Sequence, residues 1–233
     1  ERYMFGIYLS GTGNTKHCIE KLALLLDESA TVLPIESEDV IREAEQNETI
    51  ILGYPTQFSN VPIMVRNFIR DNDIWKGKKV LCVATMGAFS GDGAGCSARL
   101  LKKKGARIIG GLHLRMPDSV CDSKLLKKSL EENREIVLST DKKIEEAARD
   151  IQNGKYPKEG ISFASHIIGL LGQRLWFYGK TRNYSDKLKI SDKCIGCGLC
   201  SKICPMKNIE ISNGKAVTNG KCTMCYRCIS NCP

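Results

Sequence analysis

Near its C-terminus the chain repeats one cysteine pattern. Cys194-x-x-Cys197-x-x-Cys200-x-x-x-Cys204-Pro205 is followed by Cys222-x-x-Cys225-x-x-Cys228-x-x-x-Cys232-Pro233, each cysteine 28 residues from its counterpart. Soft thiolates at this spacing can converge on one inorganic centre. Structural zinc sites usually use two C-x-x-C pairs, which leaves the third cysteine of each run without a place. Disulfide frameworks belong mainly to short secreted chains that lack a large core. This chain has 233 residues, 42% of them hydrophobic, enough for one or two domains with a real core. No charged, apolar, small-residue signal segment opens it. A reducing, cytoplasmic setting is therefore expected. No C-x-x-x-C-x-x-C run is present, which argues against radical S-adenosylmethionine chemistry.

The doubled run resembles the two-cluster bacterial ferredoxins, in which the fourth cysteine of each copy ligates the other cluster. The resemblance implies one 4Fe-4S cluster on Cys194, Cys197, Cys200 and Cys232, and a second on Cys222, Cys225, Cys228 and Cys204. Ile190, Ile209, Ile211, Ala216 and Val217 are expected to supply the short strands and packing residues of a small α+β ferredoxin domain over 189–233. Ferredoxins normally continue beyond the position of Pro233, and Glu1 is an unusual start, so both termini are expected to be trimmed.

Charge divides the chain at the same place. Residues 1–153 carry 22 basic and 22 acidic side chains, residues 154–233 carry 13 and 4, and the whole net charge of +9 lies in the second part. Two oxidised 4Fe-4S centres with their thiolates, at about −2 each, lower that to about +5. The remainder suits an acidic redox protein partner or an anionic small-molecule electron acceptor. The basic residues lie among cysteines without stacking aromatics, so nucleic acid is not expected.

The first region alternates β-branched runs with amphipathic stretches, the pattern of a parallel sheet with crossover helices. Strands are expected at Tyr3–Leu9, Val32–Ile35, Thr49–Tyr54, Val80–Thr85 and Ala106–Leu112. Helices are expected at Asn14–Leu26, Asp39–Gln46, Pro62–Arg70 and Gly95–Lys104, with a longer one from Asp122 or Ser123 to Gln152 whose stripe includes Leu125, Leu126, Ile136, Val137, Ile144 and Ala148. Right-handed crossovers make this a three-layer sandwich around a five-stranded sheet, with ligands beyond the carboxyl ends of the strands.

Ser10-Gly11-Thr12-Gly13-Asn14-Thr15 follows the first strand and opens the first helix. Glycines let the backbone approach an anion, amides and hydroxyls donate, and the helix N-terminus adds positive potential. An empty turn has the same composition. The loop lacks the G-K-[ST] of a P-loop and the spacing of a dinucleotide fingerprint, so a smaller phosphorylated ligand is favoured.

With its strand and five-strand layout, this loop resembles the flavodoxins, whose matching loop binds the phosphate of FMN. The resemblance covers about residues 1–153 and implies an α/β flavodoxin-like fold. It places the flavin ring between Pro55-Thr56-Gln57-Phe58-Ser59-Asn60-Val61 and Met86-Gly87-Ala88-Phe89-Ser90-Gly91-Asp92-Gly93. Many flavodoxins set Trp or Tyr against the ring. Here Phe58 and Phe89 stand nearest those positions, and either can instead be core.

Residues 154–188 form the connector. Ile161, Ala164, Ile168, Leu171, Leu175 and Tyr178 recur at helical spacing, as for a helix docked on one domain. Peripheral membrane contact through 161–180 is the alternative, because Arg174, Lys180, Arg182, Lys187 and Lys189 accompany Trp176 and Phe177. His166, Gln173 and Arg174 interrupt the stretch, leaving it short of the ~20 apolar residues of a membrane span. At up to ~3.3 Å per residue, the connector is long enough to lay the clusters over the flavin edge. Cys18, Cys82, Cys96 and Cys121 read as small core residues, with Cys96 and Cys121 near the ligand edge, while His113 and His166 show no partner at catalytic spacing.

The resemblance therefore implies electron transfer between FMN and two 4Fe-4S clusters, as a carrier or a one- to two-electron converter. A flavin-dependent reductase of a small acceptor is the alternative.

Overall fold

A computed structural model describes residues 4–57, 60–88, 91–119, 127–169, 171 and 188–233. The chain divides into two compact units, Glu1–Trp176 and Phe177–Pro233.

In the first unit, β1 (Met4–Tyr8), β2 (Thr31–Pro34), β3 (Thr49–Pro55), β4 (Lys79–Met86) and β5 (Arg107–Arg115) form a parallel sheet in the order β2-β1-β3-β4-β5. Successive side chains point to opposite faces, and in a sheet covered on both sides each face must be apolar. Phe5, Ile7, Ile50, Leu52, Tyr54, Val80, Cys82 and Ala84 meet α2 (Val40–Gln46), α3 (Ile63–Asp71) and α4 (Gly93–Lys103). Met4, Tyr8, Ile51, Leu81, Val83, Leu112 and Leu114 meet α1 (Asn14–Leu26) and α5 (Leu130–Gln152). A fully buried residue such as Leu52 contributes about 1.5–3 kcal/mol by leaving water. Gly53 is the one apolar position of β3 with no side chain. A Cβ there would lie 2.3 Å from Ile19 Cγ1, so its absence lets α1 settle on the sheet.

Three boundaries differ from expectation by more than one residue. β5 continues to Arg115, because Leu112 and Leu114 keep the inward alternation while His113 between them finds a polar partner in the Ala94 N–H, 3.2 Å from its Nε2. Helix α4 starts at Gly93, two residues early, with Asp92 at its N-cap. Helix α5 starts at Leu130. Ser129 accepts from the Glu132 amide (3.1 Å) and the Glu132 carboxylate from the Ser129 amide (2.7 Å), a capping box that defines the first turn. Asp122, Ser123, Leu125 and Leu126, expected in this helix, lie outside the described residues.

Beyond α5 the chain returns along β5. Lys158 bridges Gly111 in parallel, and a short helix α6 (Phe163–Gly169) packs on α4. Of the expected connector helix, Leu175 and Tyr178 lie outside the described residues, as do Arg174, Trp176, Phe177, Lys180, Arg182 and Lys187. Among the described residues no helix is long and apolar enough to cross a membrane.

The second unit holds the antiparallel pair β6 (Ile209–Ser212) and β7 (Lys215–Thr218) with two short helices, α7 (Leu199–Ile203) and α8 (Arg227–Ser230). The helices pack together, and Arg227 Nη1 donates to Ile203 O at 3.2 Å. Each begins five residues after the first cysteine of its copy.

Candidate functional site

In the order β2-β1-β3-β4-β5 the crossover direction reverses between β1 and β3, and a crevice opens beyond their carboxyl ends. The 10–15 loop lies at that point. Gly13 adopts φ +96°, open to glycine and costly for other residues, and its amide donates to Ser10 Oγ at 3.1 Å. Helix α1 begins at the next residue, so its first amides point out of the loop. The hydroxyls that the sequence suggested as ligand donors have internal partners. Thr15 Oγ1 meets Thr85 Oγ1 at 2.7 Å in the core, and Thr12 Oγ1 meets Ser119 Oγ at 2.9 Å. Asn14 Nδ2 donates to Pro117 O at 2.7 Å. What the loop offers an anion is therefore chiefly backbone amides and the helix field.

Residues 117–119 were not visible as part of the site. They follow β5 and join the 10–15 loop to the loop after β4: Met116 N–H donates to Met86 O (2.9 Å), and a Cβ on Gly87 would meet Asp118 Oδ2 at 2.2 Å. No local motif marks them.

The loops after β3 and β4 are tied at their bases. Thr56 N–H donates to Thr85 O (2.9 Å), and Gln57 and Asn60 exchange both backbone hydrogen bonds (3.0 and 2.9 Å). Val61 is buried behind them. Tyr54, at the end of β3, donates to Gly93 O (2.6 Å) and meets Ser97 Oγ (2.8 Å), which anchors the start of α4; burial pushes its phenol well above the ordinary value. Asp92 is fully buried, with Arg99 Nη2 at 2.6 Å and His166 Nδ1 at 3.1 Å. His166 thus has a partner, from a helix 74 residues away in sequence. Of the expected ring contacts, Phe58, Ser59, Phe89 and Ser90 lie outside the described residues, while Pro55, Met86, Ala88 and Gly91 stand at this edge.

Among the remaining thiols, burial pushes Cys18 and Cys82 up to about 12, as inert core groups. Cys96 is also buried, but its Sγ lies 3.5 Å from Arg99 Nη2 and 3.8 Å from Asp92 Oδ1. Cys121 lies outside the described residues. A cleft of about 300 Å³ beside α5, lined by Arg115, Lys128 and Glu132 among others, involves none of the motif residues.

In the second unit both cysteine loops take the same path. Gly196 and Gly198 have φ +67° and +76°, and Met224 and Tyr226, their counterparts one repeat later, have φ +54° and +60°. Left-handed backbone is costly for Met and Tyr, and such strain clusters at functional sites. Backbone amides point at sulfur: Ala216 N to Cys194 (3.4 Å), Asn208 N to Cys204 (3.3 Å) and Met224 N to Cys222 (3.4 Å). Such donors stabilise thiolates, and the amides of Ala216 and Gly196 hold the Cys194 thiol below its ordinary value.

Electrostatic neighbours group the thiols. Burial pushes Cys228 up to about 11, and Cys225, Cys222 and Cys204 add to the push. Burial also raises Cys200, with Cys197 and Cys194 adding to it. Cys204 is thus an electrostatic neighbour of the second copy. Cys232 is exposed beyond α8, and its place with the first copy rests on the resemblance. Among the described residues no three Cys, His, Asp or Glu side chains stand close enough to hold a single metal ion; a four-iron cube keeps its cysteines further apart.

One buried polar atom also fits a larger group. Asn208 is 1% exposed and its Oδ1 accepts from the Lys221 amide at 2.5 Å, yet its Nδ2 has no partner. A donor stranded between the neighbours of Cys204 and Cys222 suits a sulfur-rich ligand.

Comparison with known proteins agrees with both halves. Residues 7–114 match the family described as "Flavodoxin domain", and residues 187–233 match "4Fe-4S dicluster domain". Ferredoxin-2 of Desulfomicrobium norvegicum is 63% identical over 27 residues, 12% of this chain; the match spans about half (46%) of that ferredoxin. Among solved structures, the two-electron reduced flavodoxin of Megasphaera elsdenii is 25% identical and covers 53% of this chain and 94% of its own, with a TM-score of 0.44. Fusobacterium nucleatum flavodoxin bound to flavin mononucleotide is 19% identical over 66% of this chain and 99% of its own, with a TM-score of 0.46. The chain thus joins a flavodoxin domain, which implies FMN, to a C-terminal 4Fe-4S dicluster domain, which implies iron-sulfur clusters, and the two together mark a redox protein of electron transfer.

Proposed function

We propose that this protein moves electrons within one chain, between FMN in the first unit and two 4Fe-4S clusters in the second. Bound FMN supplies one- and two-electron chemistry and each cluster one-electron chemistry, so the pairing acts as a carrier or converter. Residues 10–15 hold the phosphate on the amides of the α1 N-terminus. Pro55–Asn60 and Met86–Gly93 receive the ring, with Tyr54 and Asp92 fixing the base of the second loop. Cys194, Cys197, Cys200 and Cys232 hold one cluster, and Cys204, Cys222, Cys225 and Cys228 the other. Physiological partners are a redox protein or a small acceptor.

The observation that carries this reading is the in-register left-handed backbone at 196/224 and 198/226, on the same chain as an open α1 N-terminus at the sheet's switch point. The test is anaerobic loading with FMN, iron and sulfide, followed by rapid mixing with a one-electron reductant. Expected are one FMN and eight irons per chain, and flavin reduction at a rate independent of protein concentration. Tight zinc binding in place of clusters, absence of flavin, or flavin reduction only in proportion to protein concentration overturns it.

A further inference from the structure

The stretch after α5 is built into the first unit. Gly111 N–H donates to Pro157 O and Glu159 N–H to Gly111 O, both at 2.8 Å, so the segment lies on β5 as a partial extra strand. The Glu159 carboxylate accepts from the His113 amide (2.7 Å) and from Lys143 of α5 (2.9 Å). Glycines clear its path. A Cβ on Gly111 would lie 2.4 Å from Glu159 O, one on Gly95 2.2 Å from Gly160 O, and one on Gly160, at φ +70°, 2.3 Å from His113 Nε2. Backbone approaches that close at three positions define one route for the chain, and make this segment a strap.

The strap ends on the loop after β4. His166 of α6 places Nδ1 3.1 Å from Asp92 Oδ2, the same oxygen that Arg99 Nη2 approaches at 2.6 Å. Asp92 is fully buried, so a shift of its loop would strand a carboxylate away from its partners and from water. Arg99 belongs to α4, as does the turn that Asp92 caps; His166 alone of the two ties that turn to a segment beyond α5.

We propose that the strap is part of the flavin site, with His166 a positioning residue that, together with Arg99, holds residues 91–93 of the loop after β4 through Asp92 in the conformation the ring meets. The proposal rests on the reading that this loop faces the ring. Phosphate contacts act equally on oxidised and reduced FMN, whereas a loop against the ring meets the part whose charge changes. Loosening the clamp therefore alters the ratio of the two affinities, and loosening the phosphate loop does not.

The experiment measures dissociation constants of oxidised and reduced FMN for the full cluster-loaded chain and for His166→Ala, His166→Asn and Ser10→Ala, with amide exchange followed across 91–103. Asn carries a donor close to the position of Nδ1. His166→Ala is expected to change the affinity ratio about tenfold, the loss of a charge-assisted hydrogen bond, which is about 30 mV in a two-electron potential. It is also expected to speed exchange in the first turn of α4. His166→Asn returns both towards wild type, and Ser10→Ala weakens both states alike. If His166→Ala does not fold, Arg99→Gln removes another partner of the same carboxylate and the same two readouts decide. Wild-type protein that binds FMN, with a ratio unchanged in the variant, overturns this proposal alone. Wild-type protein that binds no FMN overturns the ring reading and the proposal with it.

Discussion

Gly53 gives the sharpest test of how the fold places the 10–15 loop, the proposed phosphate site. Its missing side chain is what allows α1 to sit on β3: a Cβ would lie 2.3 and 2.4 Å from Ile19 Cγ1 and Cδ1 and 3.2 Å from Thr15 Cγ2. Ile19 is fully buried and cannot swing away. Overpacking of this kind costs about 1–3 kcal/mol, partly offset by the about 0.5–1 kcal/mol gained when alanine replaces a strand glycine. Gly53→Ala is therefore expected to destabilise the first unit by about 0.5–2 kcal/mol, and to weaken FMN binding by tilting the α1 N-terminus. Ile19→Ala alone leaves a cavity and costs about 2–5 kcal/mol, but it removes both clashing atoms. In the double variant the two costs do not add; the shortfall is about 1–3 kcal/mol, and FMN affinity recovers. The assay is urea unfolding followed by far-UV circular dichroism, with FMN titration on the same four proteins. Additivity within about 0.3–0.5 kcal/mol refutes the reasoning, because neighbours that compete for one space must couple.

Cross-ligation is tested by comparing the clusters left behind. Cys204→Ser and Cys228→Ser are expected to leave the same residual EPR spectrum, and Cys200→Ser the other; a Cys204→Ser spectrum that matches Cys200→Ser contradicts the assignment. Burial lowers the pKa of His113. The unfolded chain thus takes up a proton near pH ~6.5 that the folded chain refuses until lower pH, and stability falls as pH drops through that window. His113→Gln is expected to flatten the fall in urea midpoint between about pH 7.5 and 5.5; an unchanged slope means that other groups carry it.

Periodicity made the sheet and the first four helices legible, because alternation and the 3.6-residue stripe are local. The sequence also contains the signal for the true start of α5: Ser129 and Glu132 are a capping pair three residues apart. The apolar Leu125 and Leu126 before them drew the expected start upstream. His113 hid the last third of β5 because a polar residue in an apolar run reads as an end, and only the structure shows the Ala94 amide that satisfies it. The Asp92–His166 pair had no local trace. Its partners lie 74 residues apart, and a lone histidine on an amphipathic stretch has no spacing to betray it. The same limit hid the hydroxyl partners of Thr12 and Thr15. A loop motif shows which groups are present and not which are already engaged.

Equal spacing in the two cysteine copies conceals unequal surroundings, and with two clusters bound as proposed that inequality predicts an order of potentials. Where the first copy has Gly196 and Gly198, the second has Met224 and Tyr226 on the same left-handed backbone. Larger residues there accompany greater burial: Cys197 is exposed, whereas its counterpart Cys225 is half-buried. The first group also includes Cys232, which is exposed, whereas none of Cys204, Cys222, Cys225 and Cys228 in the second group is exposed. An added electron makes either centre more negative; amide donors reach sulfur in both groups, so the difference between them is exposure to water, which stabilises that charge. The centre on the first copy is therefore expected to reduce at the higher potential and to act as the resting place of the first electron. Anaerobic titration of Cys204→Ser and Cys200→Ser, each retaining one cluster, measures the two separately. The opposite order would mean that exposure is outweighed by charges beyond these loops, and that burial of the cysteines is no guide to which cluster fills first.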